Sequence, residues 1–285
     1  MENIITARNL TKKFGSFHAL KGVNFDIPMG RIVGLIGANG AGKTTMLNAI
    51  LGLSSYEGDL SVFGKDPSKD RASLMNDVCF ISDVATLPKY MKVSEVLDYV
   101  GDIHHGFDRD VALGYLAKTT VPLDKKIRAL SKGMITQVHL AVVMAIDAKL
   151  LVLDEPTLGL DIIFRKNFYS ALLEEFFDED RTIVITTHQV EEVEHILSDV
   201  IFIKDGNIVL STDMDSLGEL FVELLVTPGK EKEADALGPI SKGSAFGKAT
   251  NIYRGVDRET LKAFGETRRL GLADVFVATV EGGAQ

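Results

Sequence analysis

Short apolar runs, each followed by a turn or by polar residues, recur through the first two thirds of the sequence. Runs of this length that are rich in β-branched residues are typical of buried strands. The predicted core strands cover residues 31–36, 78–82, 150–154 and 182–187. Apolar residues at helical spacing follow two of them, at residues 45–51 and 163–177. Strands that alternate with helices predict an α/β fold.

Other patterns surround this core. Residues 3–28 and 56–63 read as paired strands, which predicts an antiparallel β subdomain. Helical periodicity over residues 84–149 predicts an inserted helical subdomain. We therefore expect one domain over residues 1–215 and a small α+β accessory domain over residues 216–285. The accessory domain carries no catalytic constellation, so a stabilising role is favoured over a role in dimer contacts or regulation.

A glycine-rich loop joins the first core strand to its helix. Residues 37–44 match the phosphate-binding pattern G-x-x-x-x-G-K-[ST] at every fixed position. Glycines allow backbone amides at a helix N-terminus to approach a phosphate, Lys43 would place its charge on the β and γ phosphates, and the Thr44 hydroxyl would hold Mg²⁺. The predicted nucleotide-binding residues are Gly37, Asn39, Gly40, Ala41, Gly42, Lys43, Thr44 and Thr45. The flanking strand and helix disfavour the alternative, a chance glycine-rich turn.

Acidic and imidazole side chains follow two later core strands. Asp154 and Glu155 end one strand, and His188 ends the next. Ligand chemistry in open α/β sheets lies at the carboxyl ends of the strands. We expect Asp154 to coordinate Mg²⁺, directly or through water, and Glu155 to act as the general base for an attacking water. His188 could hydrogen-bond the γ-phosphate and that water, although a lone histidine is more often structural.

Two further residues have two readings each. Phe14 precedes Gly15, where its ring could lie against an adenine base, or it could equally fill the core under a hairpin. Ser131 precedes an apolar helix and could be an N-cap alone. The same helix start, with Gly133, could also present its amide groups to a phosphate.

Composition and charge restrict the partners. The formal net charge of −9 argues against broad electrostatic binding of nucleic acid or anionic lipid. The start of the chain lacks the pattern of a signal peptide, and no apolar run is long enough to span a bilayer, so we expect no direct membrane insertion. The single cysteine, Cys79, excludes an internal disulfide and suits a reducing compartment.

In this order and spacing, these motifs resemble the ATP-binding cassette (ABC) family, specifically the nucleotide-binding subunit of an ABC transporter. The resemblance covers residues 3 to about 213. It implies that residues 37–45 are the Walker A loop, 151–155 the Walker B strand, 158–161 the D-loop and 130–134 the signature. His188 is then the switch histidine, Asp161 belongs to the nucleotide site, and Phe14 stacks on adenine. It also implies a P-loop NTPase core of the RecA-like type.

The signature and one loop depart from the family pattern. Lys132 replaces a glycine and Met134 replaces a glutamine, while Ser131 and Gly133, which would face phosphate, are retained. Asp83 stands where the family usually has a glutamine that touches Mg²⁺. Its shorter side chain could reach the metal only through water.

The resemblance implies a mechanism with two cofactors, ATP and Mg²⁺. Two cassettes, as a homodimer or heterodimer, sandwich ATP head to tail, and Ser131 and Gly133 act in trans. Closing and opening of the dimer drive a separate transmembrane permease, docked near residues 83–93. The subunit would be cytoplasmic and peripheral on the cytoplasmic face of the cell membrane, and it looks most like bacterial exporter-type ATPases.

Three alternatives remain open at this point. Soluble cassette proteins act in translation or DNA repair, but they usually carry two cassettes or a long coiled-coil insertion. A P-loop kinase or GTPase would not need the signature. A nucleotide-gated binding module remains if Glu155 is not catalytic.

Overall fold

A computed structural model describes residues 2–81, 87–157, 162–245 and 247–281 of the chain. Its strands are β1 (Asn3–Phe14), β2 (Phe17–Pro28), β3 (Ile32–Ile36), β4 (Glu57–Val62), β5 (Val78–Ile81), β6 (Leu150–Asp154), β7 (Thr182–Thr187), β8 (Asp199–Lys204), β9 (Asn207–Asp213), β10 (Phe221–Val226), β11 (Ser241–Ala245), β12 (Lys248–Arg254) and β13 (Gly265–Arg269). Its α-helices are α1 (Lys43–Ile50), α2 (Arg71–Leu74), α3 (Val93–Ile103), α4 (Arg109–Ala117), α5 (Lys132–Met144), α6 (Ile162–Ala171), α7 (Val190–Val193), α8 (Met214–Leu220), α9 (Glu231–Asp235), α10 (Arg258–Lys262) and α11 (Leu272–Glu281).

The central sheet has the order β5-β6-β7-β3-β8-β9. Its strands run parallel except β9, which pairs antiparallel with β8. Every residue of β3, β6 and β7 is buried, as expected for strands covered on both faces of an α/β sheet. The predicted core strands are confirmed, with ends that differ by about one residue. Because β6, β7 and β3 are neighbours in register, the loops after them leave the same edge of the sheet.

A second sheet, of order β2-β1-β4, is antiparallel and packs against α1. Its β1–β2 hairpin closes with Phe14 paired to Phe17 across Gly15 and Ser16. Gly15 has φ +59°, a left-handed conformation that glycine adopts without a steric penalty. The predicted antiparallel β subdomain therefore has the expected strands.

Helices α3, α4 and α5 form the helical region that the sequence pattern predicts. They enclose a hydrophobic cluster of their own, which includes Val96, Leu97, Leu116 and Val138. In the described parts of the chain, no helix combines the length and the hydrophobicity needed to cross a membrane.

The helix predicted over residues 163–177 differs in the structure. Regular α-helix ends at Ala171, and a π-helical turn, Leu172–Phe176, follows it. The amide of Phe177 donates to the Leu172 carbonyl five residues earlier, at 3.0 Å. Buried Phe176 packs under Arg181, whose guanidinium carbon is 4.9 Å from the ring centroid. Local periodicity does not report such a change of helix type.

Residues 221–281 contribute to two hydrophobic cores. The antiparallel sheet β11-β12-β10-β13 buries its own cluster around Tyr253. Helix α11 instead lies on the central core, where Leu272 and Val275 are fully buried. The ring of Phe276 meets Phe202 of β8 edge to face at 5.2 Å. The sequence pattern predicts a helix near residues 273–280, whereas the location of that helix on the central core does not follow from the sequence. The division of the chain after residue 215 stays a prediction.

Candidate functional site

A cleft of about 510 Å³ lies at the carboxyl edge of the central sheet, where the loops after β3, β6 and β7 meet. Ile36 pairs with Thr187, and Asp154 pairs with Thr186, so these loops start at nearly the same level. The lining residues are Phe14, Phe17, Ala19, Ala38, Asn39, Gly40, Gly42, Lys43, Thr44, Thr45, Asp154, Glu155 and His188. Most of the predicted site residues therefore share one cavity.

The glycines of the loop after β3 are required by space and by backbone conformation. A Cβ on Gly37 would lie 2.5 Å from the Ile203 carbonyl oxygen, and one on Gly42 would lie 2.8 Å from the Ala19 carbonyl oxygen. Gly42 also has φ +117°. As the N-cap of α1 it has no side chain with which to bond the first amides of the helix. Amides left in this state at a helix N-terminus form an anion site, which agrees with the prediction of phosphate binding.

Lys43 is a buried cation at the base of the cleft, with 7% of its side chain exposed. Its ammonium donates to the Gly37 carbonyl at 2.7 Å and to the Ala38 carbonyl at 3.4 Å. It also lies 3.5 Å from a carboxylate oxygen of Glu155. A buried ammonium needs such oxygen partners. The charge is therefore held where phosphate oxygens could replace these partners.

Thr44 and Asp154 form a cluster of oxygen ligands. The Thr44 hydroxyl donates to Asp154 Oδ2 at 2.9 Å, and the Thr186 hydroxyl donates to Asp154 Oδ1 at 2.6 Å. Hydroxyl and carboxylate oxygens are the hard donors that Mg²⁺ prefers, so the residues present fit that ion. Thr186 is a site residue that sequence analysis missed. Only the register of β6 against β7 places it opposite Asp154.

Glu155 connects the basic groups of the cleft. One carboxylate oxygen lies 2.8 Å from His188 Nδ1, and the other is the oxygen near Lys43. Its backbone has φ +50°, which is uncommon for a residue other than glycine. Its amide is held by the Thr186 hydroxyl at 3.0 Å and by the Thr186 carbonyl at 3.2 Å. The structure therefore brings together three predicted residues that are far apart in the sequence.

The aromatic end of the cleft holds two exposed rings. Phe14 is 56% exposed, which contradicts the alternative that it fills the core under the hairpin. Phe17 is 62% exposed and lines the same cleft. Sequence analysis missed Phe17. The available signal was its position three residues after Phe14, on the other side of a Gly-Ser turn.

The signature residues lie elsewhere. Ser131 is the N-cap of α5 and accepts a hydrogen bond from the Met134 amide at 3.2 Å. Neither Ser131 nor Gly133 lines the cleft of its own chain. Ala41, within the loop of residues 37–44, is buried and does not line the cleft. Asp83 and Asp161, with the rest of the D-loop, lie outside the described residues.

Comparison with known proteins identifies the family of the chain. A family model described as "ABC transporter" matches residues 20–158. The chain is 32% identical over 232 residues to the lantibiotic transport ATP-binding protein SrtF of Streptococcus pyogenes, covering 76% of this chain and 96% of that protein. It is 29% identical over 223 residues to the ABC transporter ATP-binding protein YtrB of Bacillus subtilis, covering 78% and 76%.

Solved structures give the same fold. The structure of cbiO1 from Clostridium perfringens, part of the ABC transporter complex cbiONQ, has a TM-score of 0.66 and 25% identity, and the match covers 76% of this chain and 91% of that one. A nucleotide-free ATP-binding cassette from an ABC transporter has a TM-score of 0.66 at 23% identity, with coverage of 76% and 94%.

Proposed function

The chain belongs to the family of ABC transporter ATP-binding proteins, which hydrolyse ATP to drive transport, and from that premise we propose how its own residues bind and cleave ATP. The observation that carries the proposal is the meeting of Lys43, the Thr44–Asp154 pair and the Glu155–His188 pair in one cleft. The phosphates occupy the end of the cleft at the N-terminus of α1, and the base occupies the aromatic end.

Mg²⁺ bound by Thr44 and Asp154 would supply positive charge to neutralise the phosphates. Lys43 adds a second positive charge from inside the loop. Binding of phosphate oxygens to its ammonium releases Glu155 from the ion pair seen at 3.5 Å. The freed carboxylate is then available to accept a proton from the attacking water.

His188 holds the other oxygen of this carboxylate at 2.8 Å. Through that hydrogen bond it keeps Glu155 oriented during the reaction, and it also presents a ring nitrogen to the γ-phosphate. Positioning of this kind is the principal way in which proteins accelerate phosphoryl transfer. Glu155 thus acts as the general base, and His188 holds it in position.

A second cassette completes the site. Ser131 is exposed at the N-terminus of the thirteen-residue helix α5, away from the cleft of its own chain. In a homodimer or heterodimer of head-to-tail cassettes, Ser131 and Gly133 of one subunit meet the phosphates bound by the other. ATP then closes the dimer, and hydrolysis opens it. Asp83 and Asp161 belong to the same proposal, as a water-mediated metal contact and a nucleotide contact.

The motion of the dimer is used by a transmembrane permease, a separate chain that docks near residues 83–93. This places the subunit at the cytoplasmic face of the membrane. The relatives support transport over a role in translation or DNA repair, because SrtF and YtrB are both named as transport or transporter ATP-binding proteins.

The test is Glu155→Gln in the full-length protein. We expect ATP binding to be retained, hydrolysis to fall by roughly 100-fold or more, and a dimer to accumulate with ATP and Mg²⁺, measured by light scattering after size-exclusion chromatography. Glu259→Gln is the matched control, since Glu259 pairs only with Lys262 at the surface among the described contacts. Unchanged hydrolysis by the Glu155 variant would contradict the assignment of the base.

A further inference from the structure

The aromatic end of the cleft is made by the tip of a β-hairpin. Phe14 and Phe17 form the last residue pair before the turn. Side chains of directly paired residues project from the same face of a hairpin, with Cβ atoms about 5 Å apart. Both rings line the cleft, with Ala19 beside them. Two rings that are more than half exposed on one hairpin leave apolar surface for a flat ligand.

Lys12 restricts what Phe14 can contact. Its ammonium lies 5.1 Å from the centroid of the Phe14 ring. Hydrogen bonds to the Ser55 carbonyl at 2.6 Å and to the Ser55 hydroxyl at 3.1 Å hold it there. An ammonium over one face of a ring leaves the opposite face for stacking. A base bound by Phe14 alone therefore stays partly exposed to water.

We infer that Phe17 is a second base-stacking residue, and that the Phe14–Phe17 pair selects purine nucleotides by stacking area. This inference rests on the proposed function, since it concerns the base of the nucleotide in the same cleft. The side chains that line this end, Phe14, Phe17 and Ala19, carry no group that could hydrogen-bond the edge of a base. Discrimination between purines and pyrimidines then comes from the larger area of the purine, and ATP and GTP bind with similar affinity.

The magnitude follows from the usual contribution of a stacked base. Removal of one aromatic partner weakens binding by about 5- to 140-fold. Phe17→Ala should weaken binding of Mg²⁺–ATP within this range and weaken CTP less, so the ratio of ATP to CTP affinity falls. Binding of inorganic tripolyphosphate, which has no base, should not change.

The sequence offers a direct optical test, because it contains no tryptophan. In Phe17→Trp the new indole is the only one in the chain. Its emission should change when ATP or GTP is added and stay constant with tripolyphosphate. Tyr99→Trp is the matched control, because Tyr99 is an exposed aromatic residue on α3, outside the cleft, and its emission should respond to neither ligand.

Calorimetric titration of wild type, Phe17→Ala, Phe17→Leu and Lys43→Ala separates the outcomes. Phe17→Leu keeps an apolar side chain without a ring, so it should bind ATP more weakly than wild type if stacking is what matters. Wild-type ATP affinity in Phe17→Ala, or an equal loss of tripolyphosphate binding, overturns the inference. Unchanged binding of ATP and tripolyphosphate by Lys43→Ala would instead overturn the proposed phosphate site. The Phe17→Ala titration would still decide the inference about Phe17.

Discussion

Thr186 links two site residues, and its replacement by valine tests how the cleft is held together. The hydroxyl donates to Asp154 Oδ1 at 2.6 Å and accepts from the Glu155 amide at 3.0 Å. Valine has nearly the same shape, so the change removes the hydroxyl without opening a cavity. The residue is fully buried, and water cannot replace the lost partner.

These contacts determine how much stability Thr186→Val should lose. A hydrogen bond to a charged group contributes about 1.5–3 kcal/mol, and a buried group left without a partner adds to that loss. Asp154 keeps the Thr44 hydroxyl, and the Glu155 amide keeps the Thr186 carbonyl. We therefore expect Thr186→Val to lower the free energy of unfolding by about 2–4 kcal/mol. Turnover should fall about tenfold, the equivalent of 1.4 kcal/mol of lost positioning of Glu155.

Thr182→Val is the matched control on the same strand. Thr182 is also fully buried, but its hydroxyl bonds neutral backbone groups, the Gly30 amide at 3.0 Å and the Pro28 carbonyl at 3.4 Å. It should cost about 1–2 kcal/mol and leave turnover of the folded protein unchanged.

Urea denaturation and steady-state ATP hydrolysis measure both variants. Thr186→Ser should recover most of the turnover, since it restores the hydroxyl. Wild-type ATP hydrolysis by Thr186→Val, together with a stability no lower than that of Thr182→Val, would contradict the assigned role of the Thr186 hydroxyl.

Two predictions concern regions outside the cleft. Val275→Ala on α11 should lower the free energy of unfolding by about 1.5–3 kcal/mol, because Val275 is fully buried in the central core. Val277 on the same helix is exposed, so Val277→Ala should change the free energy of unfolding by under about 0.5 kcal/mol. Equal melting temperatures of the two variants would contradict the location of α11 on the core. Burial lowers the pKa of His139 to about 4, from about 6.5 when unfolded, so its contribution to stability is complete above pH 6.5 and is lost as the pH falls towards 4. His139→Gln should show a shallower loss of stability than wild type over that interval in urea titrations, and parallel curves would refute the assignment.

The loop of residues 37–44 was predictable because its whole sequence pattern lies in one short segment. Its glycines, lysine and threonine are adjacent in sequence, and the strand and helix on either side follow from short patterns. The positions at which β6 and β7 end were predictable for a related reason, because polar residues follow strongly apolar runs there. Their meeting in one cleft depends on the strand order, which the α/β pattern constrains.

The contributions of Thr186 and Phe17 were not predictable by the same means. Thr186 acts only through its register opposite Asp154, and a threonine in a strand has no distinctive pattern. In the sequence, Phe17 cannot be distinguished from other aromatic residues of β-strands. Only the pairing of the hairpin places it beside Phe14. The π-helical turn after Ala171 has no local signal in the sequence pattern, and the location of α11 depends on the surface that the rest of the chain presents.

The position of α11 also affects how the protein is made. All strands of the central sheet have been synthesised by Asp213, yet the surface around Phe202 is covered only when the residues of α11 have left the ribosome. During that interval the nascent chain presents apolar surface to the solvent, where aggregation competes with folding. Chaperone binding to ribosome-attached chains should therefore persist until α11 emerges and then decline.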